Sequence, residues 1–233
     1  ENAESSANIS ERDYYARDFK LIYGNRTSAN DNYAEIKELV QWVSVAEYDL
    51  FKETINEHFN KEYLFRYLLT VLMVGGVDSL GKNLKLNTFD GKVWYPTFYD
   101  LDTSLGIDNT GYLNIPADVE IEEGSFNTSN SNLWTKVMEF FATDLKEEWA
   151  KMRQKNFTLE NIMKYVYEEQ IAAIPAKHYN DDAQVKYLDF GSLYTYCCHG
   201  SKEHLIKRWL RERIAYVDSM LEYFTSQHEQ IIM

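Results

Sequence analysis

Cysteine is nearly absent from the chain, which has two such residues among 233. Cys197 and Cys198 are adjacent, and adjacent cysteines rarely bridge because the small ring strains the disulfide geometry. The sequence therefore predicts no disulfide framework and gives no argument for secretion. With His199 and His204 close by, the pair could instead bind zinc. A structural zinc site usually needs four spaced ligands, so two ordinary thiols are the favoured interpretation.

Basic residues and long apolar runs are also scarce. Lys and Arg number 24 against 37 Asp and Glu, which gives a formal net charge of -13. A surface this acidic repels phosphate backbones and anionic lipids, which argues against nucleic acid or a membrane as the main partner. No apolar stretch approaches the roughly 20 residues that a membrane-spanning helix requires. The chain begins at Glu1 without a methionine or a basic leader, so we expect a fragment or a processed piece of a longer protein.

The sequence does contain enough apolar material for a core, since 45% of its residues are apolar and 15% are aromatic. Apolar residues recur mainly at helical spacing, which predicts a mostly helical fold. The predicted helices begin near Asn32, Ser44, Asn60, Ser131, Leu145, Thr158 and Ser201. Ser44 and Glu47 are expected to form a capping box, with Leu50 facing the core of the helix that follows. The basic residues of the last helix are expected to point outward.

The stretch from Val77 to Asn109 has a different pattern, with two short β-like segments between clusters of polar residues. Lys85 to Phe89 and Lys92 to Tyr99 are predicted strands, and Asp90-Gly91 is the predicted turn between them. This stretch is therefore expected to form a β-hairpin.

Polar side chains flank both ends of the predicted hairpin. Asp78 and Asn83 precede the first strand, and Asp100 and Asp102 follow the second. Because a hairpin brings its ends together, we expect these four side chains to lie close to one another. Each motif alone is common in turns and acidic chains, but together they offer the hard oxygen ligands that Mg²⁺ and Mn²⁺ prefer. Phosphoryl transfer needs such a set to orient a hydroxyl and hold metal on phosphates.

The spacing of these residues matches the catalytic loop of protein kinases, which runs Asp-x-x-x-x-Asn and precedes a hairpin and a metal-binding Asp. Asp78-Ser-Leu-Gly-Lys-Asn83 has this spacing, and Asp100 stands where the second metal ligand would. An apolar helix from Tyr63 to Val74 comes before the loop, and the block Asp100-Leu101-Asp102 is followed by Gly106. At these residues the chain resembles the CotH kinase family, atypical protein kinases named for spore coat protein H.

The resemblance implies a mainly α fold with a small β-hairpin, equivalent to the large C-terminal lobe of a protein kinase. It also implies the use of ATP with Mg²⁺ or Mn²⁺ and the transfer of phosphate to a protein hydroxyl. It makes Asp78 the candidate base, and Asn83 and Asp100 the candidate metal ligands. Asp102 becomes a further carboxylate for the metal, acting directly or through a ligand, and Lys82 a candidate for neutralising a phosphate of the bound nucleotide.

Residues 1–30 contain a short apolar piece, Phe19 to Tyr23, but no glycine-rich loop like that of a kinase small lobe. We therefore predict that residues 1–30 are a linker leaving an upstream lobe, and that residues 31–233 form the kinase-like helical lobe. The expected partners are that upstream domain of the same chain and a protein substrate or assembly partner.

Two other functions remain open from the sequence. One is a catalytically inactive kinase-like module with a structural or binding role in a large phage or surface protein. The aromatic content and the Asn- and Ser-rich loops would suit such an assembly protein. The other is a metal-dependent hydrolase that uses the same carboxylates, which is less favoured because no histidine lies near the central stretch.

Overall fold

A computed structural model of the chain describes residues 34–76, 78–108, 115–119, 131–165 and 200–232. These residues form seven helices and one antiparallel pair of strands. In chain order they are α1 (Ala34–Val45), α2 (Tyr48–His58), α3 (Lys61–Val74), β1 (Lys85–Thr88), β2 (Trp94–Thr97), α4 (Asn132–Phe140), α5 (Ala142–Gln154), α6 (Leu159–Met163) and α7 (Gly200–Ile232). The predicted combination of many helices with one small hairpin is confirmed for the described residues.

Helix α3 is the centre of the core because its apolar run is buried on nearly every side. Its buried residues are Leu64, Phe65, Tyr67, Leu68, Leu69, Val71, Leu72 and Met73. The helix packs against α5, α7 and β2. Asn60 caps its first turn by accepting a hydrogen bond from the Tyr63 N–H, and Gly75 ends it in the left-handed conformation with φ +66°. Both ends agree with the sequence prediction.

Helices α1 and α2 close one side of the core around Trp42, whose ring is stacked between two others. The ring centroids of Trp42 and Phe51 lie 4.5 Å apart, and those of Trp42 and His58 lie 4.1 Å apart. Burial lowers the pKa of His58 below its ordinary value. The imidazole therefore packs against Trp42 in its neutral form at neutral pH.

The junction between α1 and α2 differs from the prediction. Ser44 lies inside α1, and its hydroxyl donates to the Val40 carbonyl at 2.8 Å, so the expected capping box does not form. Glu47 is itself the N-cap residue of α2 and makes no side-chain hydrogen bond there. Leu50 is exposed and does not face the core. The hydroxyl of Ser44 bonds to its own preceding turn, a local alternative open to serine within a helix.

Lys136 of α4 supplies the missing cap for the C-terminal end of α1. Its ammonium donates to the carbonyls of Val43 and Ala46, at 2.8 and 2.7 Å. Helix α1 has no basic residue in its own last turn. A lysine from a neighbouring helix thus satisfies carbonyls that would otherwise have no intrahelical partner.

The two strands pair with Lys85 opposite Thr97. The connection between them has five residues, 89–93, so the two-residue turn predicted at Asp90-Gly91 is wrong and both strands are shorter than predicted. The Asp90 carboxylate accounts for the longer loop. Its Oδ1 accepts hydrogen bonds from two backbone N–H groups of the loop, at 2.9 Å each.

Helices α4 and α6 begin where the sequence predicts. The side chains of Ser131 and Thr158 accept hydrogen bonds from the N–H groups of Trp134 and Asn161, as N-caps do. Helix α5 begins at Ala142, three residues before the predicted start.

Glu148 of α5 is a buried carboxylate that connects this helix to α3. It accepts hydrogen bonds from Arg66 Nε at 2.7 Å and from Lys151 Nζ at 3.2 Å. Burial alone would raise the pKa of Glu148, but these hydrogen bonds and charges lower the pKa below its ordinary value. The carboxylate therefore stays ionised at neutral pH within the interface.

Helix α7 buries Trp209, Ile214, Val217 and Leu221, as predicted from its periodicity. Arg213 contradicts the expectation that all basic residues of this helix point outward, because its exposed fraction is 0%. Its guanidinium bonds to backbone carbonyls, which compensates for the loss of water. Among the described residues, no helix is both long and apolar enough to cross a membrane.

Some predictions concern residues outside the described ranges. These are the apolar piece from Phe19 to Tyr23, the Cys197–Cys198 pair and most of the acidic stretch from Asp118 to Glu123. They stay predictions.

Candidate functional site

The candidate site begins directly after the core helix, where two glycines let the backbone turn. A Cβ placed on Gly75 would lie 2.9 Å from the Trp209 ring of α7, so only glycine fits both the left-handed conformation and the space. The following residues form a compact turn in which the N–H of Asn83 bonds to the carbonyl of Asp78 at 2.9 Å. Asp78 and Asn83 are thus held at the two ends of one closed loop.

Two buried aromatic side chains fix this loop from below. The Tyr67 hydroxyl of α3 donates to the Ser79 carbonyl at 2.7 Å, and the Trp134 indole of α4 donates to the Leu80 carbonyl at 2.8 Å. The two rings are stacked with centroids 5.9 Å apart. Sequence reasoning missed both residues as parts of the site. The only available signal was that a buried Tyr or Trp needs a partner for its polar tip.

The hairpin returns the chain to the same loop. The Asn83 side chain is buried, and its Nδ2 donates to the backbone carbonyl of Asp100 at 3.4 Å. Asp100 itself has φ +56°, in the left-handed region that Asp and Asn tolerate better than most residues. A further backbone bond of 2.6 Å runs from the Leu105 N–H to the Val74 carbonyl at the end of α3. The segment after β2 is therefore tied to both the loop and the core helix.

The electrostatics of the site converge on Lys82. Its Nζ lies 3.0 Å from Asp78 Oδ2, and the side chain of Lys82 is 75% exposed whereas that of Asp78 is 18% exposed. The hydrogen bond and the charge of Asp78, with smaller contributions from Asp100 and Asp102, raise the pKa of Lys82 above its ordinary value. The ammonium is thus in the field of all three predicted carboxylates.

The structure therefore joins Asp78 to Lys82 and Asn83 to the backbone of Asp100, but it shows no cluster that closes around one point within the described ranges. Asp102 lies on the exposed segment after β2, where its Oδ1 accepts a hydrogen bond from the Thr103 N–H at 2.9 Å. Within the described ranges, no three His, Cys, Asp or Glu side chains are close enough together to hold one ion. The roles assigned to Asp78, Lys82, Asn83, Asp100 and Asp102 stay predictions.

Helix α7 contributes two side chains, Trp209 and Arg213, whose hydrogen bonds to distant carbonyls the sequence did not predict. Trp209 donates from Nε1 to the Ile115 carbonyl at 2.9 Å. Arg213 donates from Nε to the Leu72 carbonyl of α3 at 2.7 Å and from Nη1 to the carbonyls of Ala117 and Val119, at 3.1 and 3.0 Å. Burial lowers the pKa of Arg213 to about 10, so the guanidinium keeps its charge at neutral pH.

An apolar core helix, an Asp-x-x-x-x-Asn loop, a short hairpin and an Asp directly after it define the large, helical lobe of a kinase-like fold. The family model described as CotH kinase protein matches residues 3–217. This match covers most of the chain, and the chain therefore belongs to the CotH kinase family. Comparisons with curated proteins and with solved structures gave no significant match.

The family match begins at residue 3, so it includes the residues predicted to be a linker from an upstream lobe. Residues 1–33 lie outside the described ranges. The division into a linker, residues 1–30, and a helical lobe, residues 31–233, stays a prediction.

Proposed function

We propose that this chain carries the catalytic lobe of a phosphotransferase that uses ATP with Mg²⁺ or Mn²⁺ and phosphorylates a protein hydroxyl. The observation that supports it most is the contact between the loop and the hairpin, in which Asn83 Nδ2 donates to the Asp100 carbonyl. Asp78 is on the same closed loop as Asn83, so this contact supports the assignment of the predicted base and the predicted metal ligands to one site. Membership of the CotH kinase family supports the same reaction.

The donor chemistry of the site suits a hard divalent cation. Asp100 and Asp102 are exposed residues with carboxylates, and the Asn83 carboxamide oxygen accepts no hydrogen bond from any residue in the described part of the chain. Carboxylate and carboxamide oxygens are preferred by Mg²⁺ and Mn²⁺. A cation bound there would screen the phosphates of ATP, which a chain with net charge -13 otherwise repels.

Asp78 is proposed as the general base. Its carboxylate is mostly buried and sits on a loop whose backbone is fixed by Tyr67 and Trp134. Such a group can hold one orientation toward an acceptor hydroxyl, and positioning is a large part of catalysis in phosphoryl transfer. Asp78 accepts the proton that the hydroxyl loses while its oxygen bonds to the terminal phosphorus and the bond to the diphosphate breaks. Lys82 is proposed to contact a phosphate of the nucleotide.

The proposal extends to the partners. The helical lobe would work with an upstream small lobe of the same protein, which would cover the adenine and phosphates. The phosphate acceptor would be a protein hydroxyl, and no role for nucleic acid or a membrane is proposed.

Ligand-induced thermal stabilisation tests the site directly. A ligand that binds only the folded state raises Tm in proportion to RT ln(1 + [L]/Kd), so ATP with Mg²⁺ or Mn²⁺ should raise the Tm of the protein. Asp100→Asn should abolish the rise. Asparagine is the suitable replacement because it tolerates the positive φ of Asp100, so the backbone is retained while one charge is removed.

Asp49→Asn is the matched control, since Asp49 is exposed on the first turn of α2 and is not among the residues predicted for the site. This variant should keep the full ligand-induced rise. A rise that persists in Asp100→Asn would refute the metal assignment.

Labelled ATP and the full-length gene product then separate catalysis from binding. Transfer of label to protein would support the kinase. Nucleotide binding without transfer would favour the second candidate, a kinase-like binding or structural module, for which the open arrangement of the carboxylates within the described ranges is the favouring observation.

A further inference from the structure

The Asp78 carboxylate and the Lys82 ammonium are partners in the structure, yet the proposed reaction requires something different from each. Asp78 Oδ2 accepts a hydrogen bond from Lys82 Nζ at 3.0 Å. Lys82 therefore occupies one of the two carboxylate oxygens to which an acceptor hydroxyl could donate. A hydroxyl that donates to Oδ2 must compete with this ammonium.

The two side chains differ in how freely they can leave this pair. Asp78 is 18% exposed, and its loop is closed by the backbone bond from Asn83 to Asp78 and anchored through Ser79 and Leu80. Lys82 is 75% exposed, on a flexible four-carbon stem. If the pair opens, Lys82 is the partner that moves and Asp78 is the partner that stays.

A triphosphate bound near the predicted metal ligands would compete with Asp78 for this ammonium. Lys82 directly precedes Asn83, whose Nδ2 donates to the Asp100 carbonyl at 3.4 Å, so its ammonium is carried on the same loop as the groups proposed to hold the metal. A phosphate oxygen bound to that metal is a strong acceptor for an ammonium donor. One lysine thus has two competing partners.

We propose that Lys82 couples nucleotide binding to the release of Asp78. Its ammonium exchanges the Asp78 carboxylate for a phosphate oxygen of the nucleotide, and the released carboxylate then accepts the proton of the acceptor hydroxyl. The inference depends on the proposed function, because it assigns a sequence of events to that same site. Coupling of this kind is reciprocal, so removal of the Asp78 charge must strengthen the contact between Lys82 and the nucleotide.

A double-mutant cycle on nucleotide affinity measures the exchange. The variants are Asp78→Asn, Lys82→Met and the two together, and the ligand is the non-hydrolysable imido analogue of ATP with Mg²⁺, titrated by calorimetry. With Lys82 present, Asp78→Asn should tighten binding beyond the general effect of removing one negative charge. In the Lys82→Met background only that general effect should remain. The difference should be about twofold to fivefold in Kd, the range expected for a solvent-accessible ion pair.

Asp49→Asn serves again as the charge-matched control, with no change in Kd expected. Equal effects of Asp78→Asn in the two lysine backgrounds would overturn the coupling and leave the proposed function intact. Failure of wild-type protein to bind the analogue would overturn the proposed function and, with it, the coupling.

A measurement on the unsubstituted protein covers the case in which Asp78→Asn does not fold. Reductive methylation with ¹³C labels the lysines while retaining their charge. The Lys82 signal is identified by its absence in Lys82→Met, whose side chain change is on an exposed position. Addition of the nucleotide analogue with Mg²⁺ should shift this signal, and an unchanged signal in the presence of bound nucleotide would overturn the inference.

Discussion

Replacement of Tyr67 by phenylalanine tests whether a buried hydrogen bond holds the Asp78 loop. The change removes one hydroxyl, which donates to the Ser79 carbonyl at 2.7 Å. Tyr67 is 2% exposed and Ser79 is 1% exposed, so water cannot easily replace the lost donor. The ring, its stacking on Trp134 and the shape of the core remain nearly unchanged.

The cost follows from leaving a buried carbonyl without its partner. An unsatisfied buried polar group costs about 1–3 kcal/mol of unfolding free energy. In a domain of this length, 1 kcal/mol corresponds to about 2–4 °C in Tm, so we expect Tm to fall by about 2–12 °C. Because the lost bond holds the loop, the ligand-induced rise in Tm with ATP and Mg²⁺ should also shrink.

Tyr63→Phe is the matched control for this prediction. Tyr63 lies one turn earlier on α3, is 41% exposed, and its hydroxyl makes no hydrogen bond with any residue that the structure describes. Its replacement should change stability by less than about 0.5 kcal/mol. Urea denaturation followed by far-ultraviolet circular dichroism measures both variants, with an unchanged m value as the check that the unfolding reaction is the same. Equal losses in the two variants would refute the role assigned to the Tyr67 hydroxyl.

Three further predictions concern other parts of the fold. Gly75→Ala should lower the unfolding free energy by about 1–3 kcal/mol, because Gly75 has a positive φ and lies next to the Trp209 indole. Gly81 has open space around it, so Gly81→Ala should be neutral or slightly stabilising in the same denaturation assay. The pKa of Glu148 is lowered in the folded protein, so its ionised carboxylate stabilises the fold above the pKa of the unfolded state. This stabilisation is lost as the pH falls through the folded-state pKa. Glu148→Gln should therefore make the unfolding free energy depend less on pH in unfolding curves measured across acidic pH. Lys136→Met should lower the unfolding free energy by about 1–2 kcal/mol, because two helix-end carbonyls lose their donor. Lys146→Met removes an exposed ion pair and should cost less than about 1 kcal/mol in thermal unfolding. Similar costs in the two variants would refute the capping role of Lys136.

The parts of the fold that could be predicted from the sequence are those set by neighbouring residues. The apolar run of α3, the cap at Asn60 and the glycine stop at Gly75 are local signals, and all three are present in the structure. The Asp90 loop was only partly predictable, because its length depends on hydrogen bonds from a carboxylate to backbone groups. A residue type known for two-residue turns can also stabilise a longer one.

The supports of the site could not be predicted because their partners are distant in the sequence. Trp134 bonds to a carbonyl 54 positions earlier, and Arg213 bonds to one 141 positions earlier. Helical periodicity predicts that an arginine lies on the outer face of an amphipathic helix. It does not predict the backbone carbonyls that the fold brings to the inner face. The residues predicted for catalysis are close together along one short stretch, so their spacing could be recognised in the sequence, and their roles stay predictions.

The bond from Arg213 to the Leu72 carbonyl also sets an order of events during synthesis on the ribosome. Translation at about 5–20 residues per second needs about 7–28 s to add the 141 residues that separate the two partners. During that interval the nascent polypeptide exposes the apolar surface of α3 that α7 finally covers. The lobe therefore completes its folding after, and not during, the emergence of the loop from Asp78 to Asn83, and chaperones that shield apolar segments have their longest opportunity to act in that window.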